Sequence, residues 1–183
     1  MGLKISDTKI PGLHVIENSP ASDQRGSFAR LFCMDELSGI LGDRSIVQIN
    51  QSKTNQVGAI RGLHFQYPPH AEMKFVRCLR GRVWDVALDL RAGSATFMQW
   101  HAQELSADNN MMMVIPEGCA HGFQVLEADS ELLYLHTAPY RPSAEGAVRY
   151  NDPLPAISWP LPPVDLSARD AMHPFFDQNF RGL

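Results

Sequence analysis

The sequence is short of several features that define whole classes of protein. Its 183 residues hold only three cysteines, Cys33, Cys78 and Cys119, with no CxxC pair. Three scattered thiols make neither a disulfide framework nor a thiolate zinc site, and they fit a reducing cytoplasm. No apolar run nears the roughly 18 residues a membrane span requires. The opening MGLKISDTKIPG has no apolar segment of the secretory kind. Lysine and arginine total 16 against 20 acidic residues, a formal charge of -4. No surface for neutralising nucleic-acid phosphates is therefore expected. Repeats and low-complexity tracts are also missing.

A chain this long buries roughly 70% of its unfolded surface, enough for a real core. Hydrophobic residues make up 44% and charged residues 20%, the balance of a globular protein. Thirteen glycines and thirteen prolines cut the chain into short pieces. One stretch reads as a helix, Asp35 to Leu41, with Asp35 as its cap, Leu37, Ile40 and Leu41 as its apolar face and Gly42 as its end. The rest reads as strands. Lys74 to Leu79 and Arg82 to Leu90 alternate partly across the turn at Gly81. Thr96 to Leu105, Met111 to Ile115, Gly122 to Leu126 and Glu131 to His136 continue the series. Short strands separated by turns indicate an all-β sandwich or barrel. Asp152 to Pro163, DPLPAISWPLPP, is too rich in proline for a central strand and reads as an extended strap. Leu166 to Asp170 reads as the start of a short helical turn. Phe175, Phe176 and Phe180 in the tail dock either on the body or on a neighbour.

Chemistry is sought where polar residues interrupt apolar strands. In Ala59 to Gln66, AIRGLHFQ, His64 and Gln66 share one face. Polar groups on an inner face need partners or line a pocket. His64 is either a general base or a satisfied core histidine. In MMMVIPEGCAHGF, His121 is expected just past a strand end, at the mouth of a barrel. Lys74 opens an apolar strand. Asp85 and Asp89 share a face of VWDVALDL, read as a solvated one. Tyr134 is either packing or a proton donor. Arg25-Gly26-Ser27-Phe28 combines a cation, a turn and an aromatic, suited to phosphate and base or simply to a hairpin. Gln48 and Asn50 share a face and carry amides that read a nucleobase edge or bridge backbone groups.

In order, DQRGSF, QIN, RGLHFQ, the lysine of EMKFVRCLRGRVWDVALDLR, PEGCAHGF, ELLY, YNDP and LSARD resemble the dTDP-4-dehydrorhamnose 3,5-epimerase family. The likeness runs from about residue 5 to about residue 175. It implies a cupin-like jelly-roll barrel with short helices in a single epimerase domain. That domain would have an N-terminal arm to about 45, a barrel over about 46–150 and a C-terminal strap over about 151–183. It further implies a cytoplasmic homodimer with exchanged N-terminal strands and a cofactor-independent inversion at C3 and/or C5 of a nucleotide-linked 4-keto-6-deoxyhexose. Carried over residue by residue, His64 is the base, Asp170 its orienting acid, Lys74 the enolate's cation and Tyr134 the proton donor on the far face. Arg61 holds the diphosphate. Gln48, Asn50, His121 and Tyr140 line the pocket, and Arg25 and Phe28 reach the nucleotide. Ser27 stands where the family usually has an aromatic, and Arg30 where it often has an acid. A CDP-linked or other nucleotide sugar is therefore an alternative substrate. A metal-dependent, dioxygenase-like cupin is a second alternative, with His64, Glu72 and His121 as its ligands. Lys74 beside such a set disfavours a metal. A non-catalytic sugar-binding cupin is a third.

Overall fold

The computed structural model describes residues 2–183 as two packed antiparallel sheets with two short helices. In chain order the strands are β1 (Leu3–Asp7), β2 (His14–Asn18), β3 (Ala21–Asp23), β4 (Gly26–Phe28), β5 (Gln48–Thr54), β6 (Ile60–Gln66), β7 (Lys74–Arg80), β8 (Arg82–Asp89), β9 (Trp100–Ser106), β10 (Met111–Ile115), β11 (Cys119–Val125), β12 (Ser130–His136) and β13 (Glu145–Ala147). The helices are α1 (Met34–Leu41) and α2 (Ala168–Met172). One sheet runs β1-β2-β10-β7-β12-β5 and the other β13-β6-β11-β8-β9, while β3 and β4 form a separate hairpin. The all-β jelly-roll expectation holds, except that the described strands form an open sandwich rather than a closed barrel. The two sheets are joined by side-chain packing and not by a hydrogen-bonded seam.

The strands alternate less cleanly than half-exposed strands because both faces of each sheet are covered. Val76, Met113, Ile115 and Leu132 point inward and meet Val83, Ala87, Leu105, Phe123 and Val125 of the opposite sheet. Their neighbours Phe75, Met112, Val114 and Leu135 point outward, where α1 covers them with Leu37 and Leu41. The outer face of the second sheet, with Leu63, Phe65, Val86, Leu88 and Ala120, is covered by Trp159, Phe176, Phe180 and Leu183. The aromatic tail thus docks on its own chain. These four side chains are partly buried, and each removes apolar surface from water at about 25 cal/mol per Å², which holds the strap and tail against the sheet.

Several sequence expectations shift. Cys33, not Asp35, occupies the N-cap of α1 and makes no side-chain cap; Asp35 lies in the first turn, where its charge suits the helix dipole. Gly42, with φ of 55°, ends the helix as expected and donates its N–H to the Ser38 carbonyl at 2.9 Å. The strand expected from Thr96 begins only at Trp100, because the Thr96 hydroxyl is taken by Asp89 at 2.6 Å. Asp85 and Asp89 do not face solvent: both are fully buried. Asp89 receives Arg91, Ser94 and Thr96. Burial pushes its carboxyl up, but these hydrogen bonds prevail and hold it at about 2. The strap is anchored by Gln124, whose amide bonds both the N–H and the carbonyl of Leu161. Within the chain, β1 pairs with β2 and β2 with β10.

Candidate active site

The inward positions that build the core at one end of the sandwich are polar at the other. There His64 (β6) and His121 (β11), the latter backed by the buried Asp85 (β8), face Lys74 (β7), Tyr134 and His136 (β12) across a cleft of about 930 Å³. The edge strand β5 supplies Asn50, Ser52 and Thr54, and the segment leading into α2 supplies Ser167, Arg169 and Asp170.

Backbone geometry sets the spacing of the two histidines. His64 and His121 are directly paired on β6 and β11, and the ladder slips just beyond them. A Cβ on Gly62, whose φ is 103°, would lie 2.6 Å from the His121 carbonyl oxygen; one on Gly122 would lie 2.8 Å from the Arg61 carbonyl oxygen. Only glycine permits this approach. The irregularity also turns Arg61 toward the cleft, out of the face that plain alternation would assign it. There its Nε donates to Thr54 Oγ1 at 2.8 Å.

His64 Nε2 is 2.8 Å from Asp170 Oδ1, while the Gly62 N–H approaches Asp170 Oδ2 at 3.4 Å. Ser167 caps α2 by accepting the Asp170 N–H at 3.0 Å, which fixes the acid at the helix start. Burial raises the Asp170 carboxyl, but the His64 hydrogen bond and charge, with Gly62 and Ser167, hold it below the ordinary range. The imidazole is 26% exposed and open to the cleft, while the acid is buried behind it. Arg169 Nη2 stands 3.3 Å from the same His64 nitrogen, and its Nη1 bonds Glu145.

His121 Nε2 is 2.7 Å from Asp85 Oδ1. Burial raises the Asp85 carboxyl more than His121 and Lys74 lower it. His121 sits inside β11, not past its end as the turn residues suggested. The Tyr134 hydroxyl meets Ser52 Oγ at 3.0 Å, and its ring lies 6.0 Å from that of His121. Burial pushes the Tyr134 phenol well above its ordinary value, so it stays protonated and able to donate. Lys74 Nζ donates to the His64 carbonyl at 3.3 Å. Asn50 lies beside His136, and Gln48 accepts the Tyr140 N–H at 3.0 Å at the rim.

The structure therefore brings together His64, Asp170, Lys74, Tyr134, Arg61, Asn50 and His121 in one cleft, with Gln48 and Tyr140 in the small pocket that adjoins it. Arg25 and Phe28 are not there. They sit on the exposed β3–β4 hairpin, Arg25 paired with Asp23 and Phe28 69% exposed. Arg30, which the resemblance placed near the nucleotide, pairs instead with Glu36 of α1. The metal set His64, Glu72 and His121 is not assembled, because Glu72 bonds Lys74 and His136 while His121 bonds Asp85. Among the described residues, His64, Asp170 and His173 bring their ligand atoms within 4.8 Å of one another, with the Arg169 cation against the same imidazole. The buried thiols Cys78 and Cys119 are pushed up to about 11 and about 12 by burial, so neither is a nucleophile. Sequence reasoning missed Ser52, Thr54, Arg169 and His136, and it met Glu72 only as a metal ligand. His136 could have been found, since it lies two residues from Tyr134 on the same strand face.

Known proteins resemble both the chain and its fold. The family model described as dTDP-4-dehydrorhamnose 3,5-epimerase matches residues 7–178. The dTDP-4-dehydrorhamnose 3,5-epimerase of Salmonella typhimurium is 42% identical over 173 residues, 93% of this chain and 94% of that protein. The dTDP-6-deoxy-D-glucose-3,5-epimerase of Legionella pneumophila, solved in complex with dTDP-4-keto-L-rhamnose, superposes with a TM-score of 0.87 at 42% identity, covering 92% of this chain and 90% of that one. The dTDP-4-dehydrorhamnose 3,5-epimerase of Bacillus anthracis, with TDP and pyrophosphate bound, gives a TM-score of 0.92 at 34% identity, covering 96% and 100%. With its cupin-like two-sheet fold and these matches along nearly its whole length, the chain belongs to the dTDP-4-dehydrorhamnose 3,5-epimerase family.

Proposed function

We propose that this epimerase inverts the carbons flanking the ketone, C3 and C5, of a nucleotide-linked 4-keto-6-deoxyhexose of the dTDP-4-dehydro-6-deoxyglucose type, without a cofactor. The observation that carries the reading is His64 on one sheet, backed by Asp170 of α2, facing Tyr134 and Lys74 on the other sheet. Hydrogens next to the ketone are acidic because removal of one leaves an enolate. His64, oriented by Asp170, takes that proton. The Lys74 ammonium meets the charge that develops on the C4 oxygen. Tyr134 returns a proton from the opposite face, which inverts the centre. The ketone itself accepts the electron pair.

Arg61 holds the diphosphate, and Gln48, Asn50, His121 and Tyr140 line the pocket around the substrate. Arg25 and Phe28 stand too far out on their hairpin to serve their own cleft, which supports a homodimer in which this hairpin reaches the nucleotide in the partner's cleft. That exchange of N-terminal strands includes β3 and β4. Product formation serves deoxysugar biosynthesis in the cytoplasm, where the three free thiols stay reduced.

The test is solvent exchange. Incubated in deuterated water with dTDP-4-dehydro-6-deoxyglucose, the enzyme introduces deuterium at C3 and C5. No incorporation at either carbon defeats the reading. Preferential incorporation into the CDP-linked sugar reassigns the nucleotide.

A further inference from the structure

Three ionisable side chains meet where the cleft joins its small neighbouring pocket, and Glu72, Lys74 and His136 all line that pocket. Glu72, in the segment entering β7, places Oε1 3.2 Å from Lys74 Nζ and Oε2 2.8 Å from His136 Nδ1. All three side chains are about nine-tenths buried, with 7%, 11% and 10% exposed for Glu72, Lys74 and His136. Lys74 and His136 are directly opposed in the register of β7 and β12. One carboxylate therefore spans two strands, ion-paired with the lysine of one and hydrogen-bonded to the imidazole of the other. Burial works to raise Glu72, but the bond from His136 and the charge of Lys74 outweigh it and hold the carboxyl below its ordinary value. It is ionised at neutral pH.

We propose that Glu72 is a positioning residue for Lys74, and that His136 in turn fixes Glu72. The inference deepens the reading of Lys74 as the enolate's cation and rests on it. A free lysine head samples many rotamers on a four-carbon stem. Here the head is held between the Glu72 carboxylate and the His64 carbonyl, 3.2 Å and 3.3 Å away. One of its three N–H donors is left for the cleft. A donor fixed before charge develops costs no reorganisation when it does. The carboxylate also offsets much of the ammonium's charge. What Lys74 offers the substrate is then chiefly a directed hydrogen bond, felt in turnover more than in ground-state binding.

The experiment places Glu72→Gln in two backgrounds, wild type and Lys74→Met, and follows deuterium entry from solvent into dTDP-4-dehydro-6-deoxyglucose. In the wild-type background exchange is expected to slow about 10- to 100-fold, the range for groups that orient a functional ligand. KM is expected to move by about threefold or less, since ground-state contacts are kept. In the Lys74→Met background the same substitution is expected to change exchange by about twofold or less, because its effect passes through the missing lysine. An equal fold loss in both backgrounds, or no loss in wild type, overturns the proposal. Should Glu72→Gln not fold, His136→Gln is put through the same pair of backgrounds, where loss confined to the wild type supports the proposal and equal or absent loss overturns it. Absence of exchange in the unmodified enzyme sinks the assigned reaction and this inference with it; normal exchange with an indifferent Glu72→Gln sinks only the role of Glu72.

Discussion

Asp170 Oδ1 lies 2.8 Å from His64 Nε2, although 106 residues separate the two in sequence. The acid arrives on α2, after the proline-rich strap has crossed the second sheet, and the Ser167 cap and the Gly62 N–H aim it. Asp170→Asn keeps the shape but exchanges an acceptor for an amide. Its expected effect is a fall in turnover of about 10²- to 10⁴-fold, the usual worth of a positioned acid–base group. Initial rates of deuterium incorporation check it, with circular dichroism as the control for folding.

Tyr134→Phe separates the two halves of the reaction. With His64 as the proposed base, proton removal is expected to be largely kept, whereas delivery to the opposite face is expected to be lost. Deuterium should still enter substrate while net inversion falls. Equal loss of both would remove Tyr134 from the donor role. Loss of the hydroxyl's bond to Ser52 costs about 1 kcal/mol of stability.

The hairpin proposal predicts complementation. Arg25→Ala and His64→Ala are each expected to be nearly inactive. After unfolding and refolding together, half the dimers are mixed and each holds one intact site, so about a quarter of wild-type activity returns. A mixture as inactive as its components rules out sharing between subunits.

Asp89 provides a stability test with a defined sign. Its folded value, about 2, lies below the ordinary 3.8. The stabilisation is complete above the ordinary value and disappears as pH falls through the folded one. The shift corresponds to about 2 kcal/mol. Asp89→Asn is expected to cost about that much at pH 7. The gap between the two proteins should narrow as pH falls from about 4 toward about 2, measured by denaturant midpoints at each pH.

Much of this was readable from the residues. RGLHFQ and PEGCAHGF stood out because polar residues interrupt apolar stretches there, and polar groups on an inner face need partners or line a pocket. The helix at residues 34–41 and most strand centres followed from spacing. What misled was partnership. Asp85 and Asp89 looked like a wet face because alternation reports which residues share a side, not what lies opposite: His121 reaches Asp85 from another strand, and the turn after β8 folds Arg91, Ser94 and Thr96 back onto Asp89. Strand ends at Thr96 and Cys119 were missed because tertiary hydrogen bonds set them. The bond between Glu72 and His136 escaped notice because it exists only once β7 and β12 are paired.

Because Gly62 and Gly122 bring β6 and β11 together chiefly through main-chain atoms, the separation of the two imidazoles is set by the absence of side chains at these two positions. A side chain added at either glycine would push the two strands, and with them His64 and His121, apart.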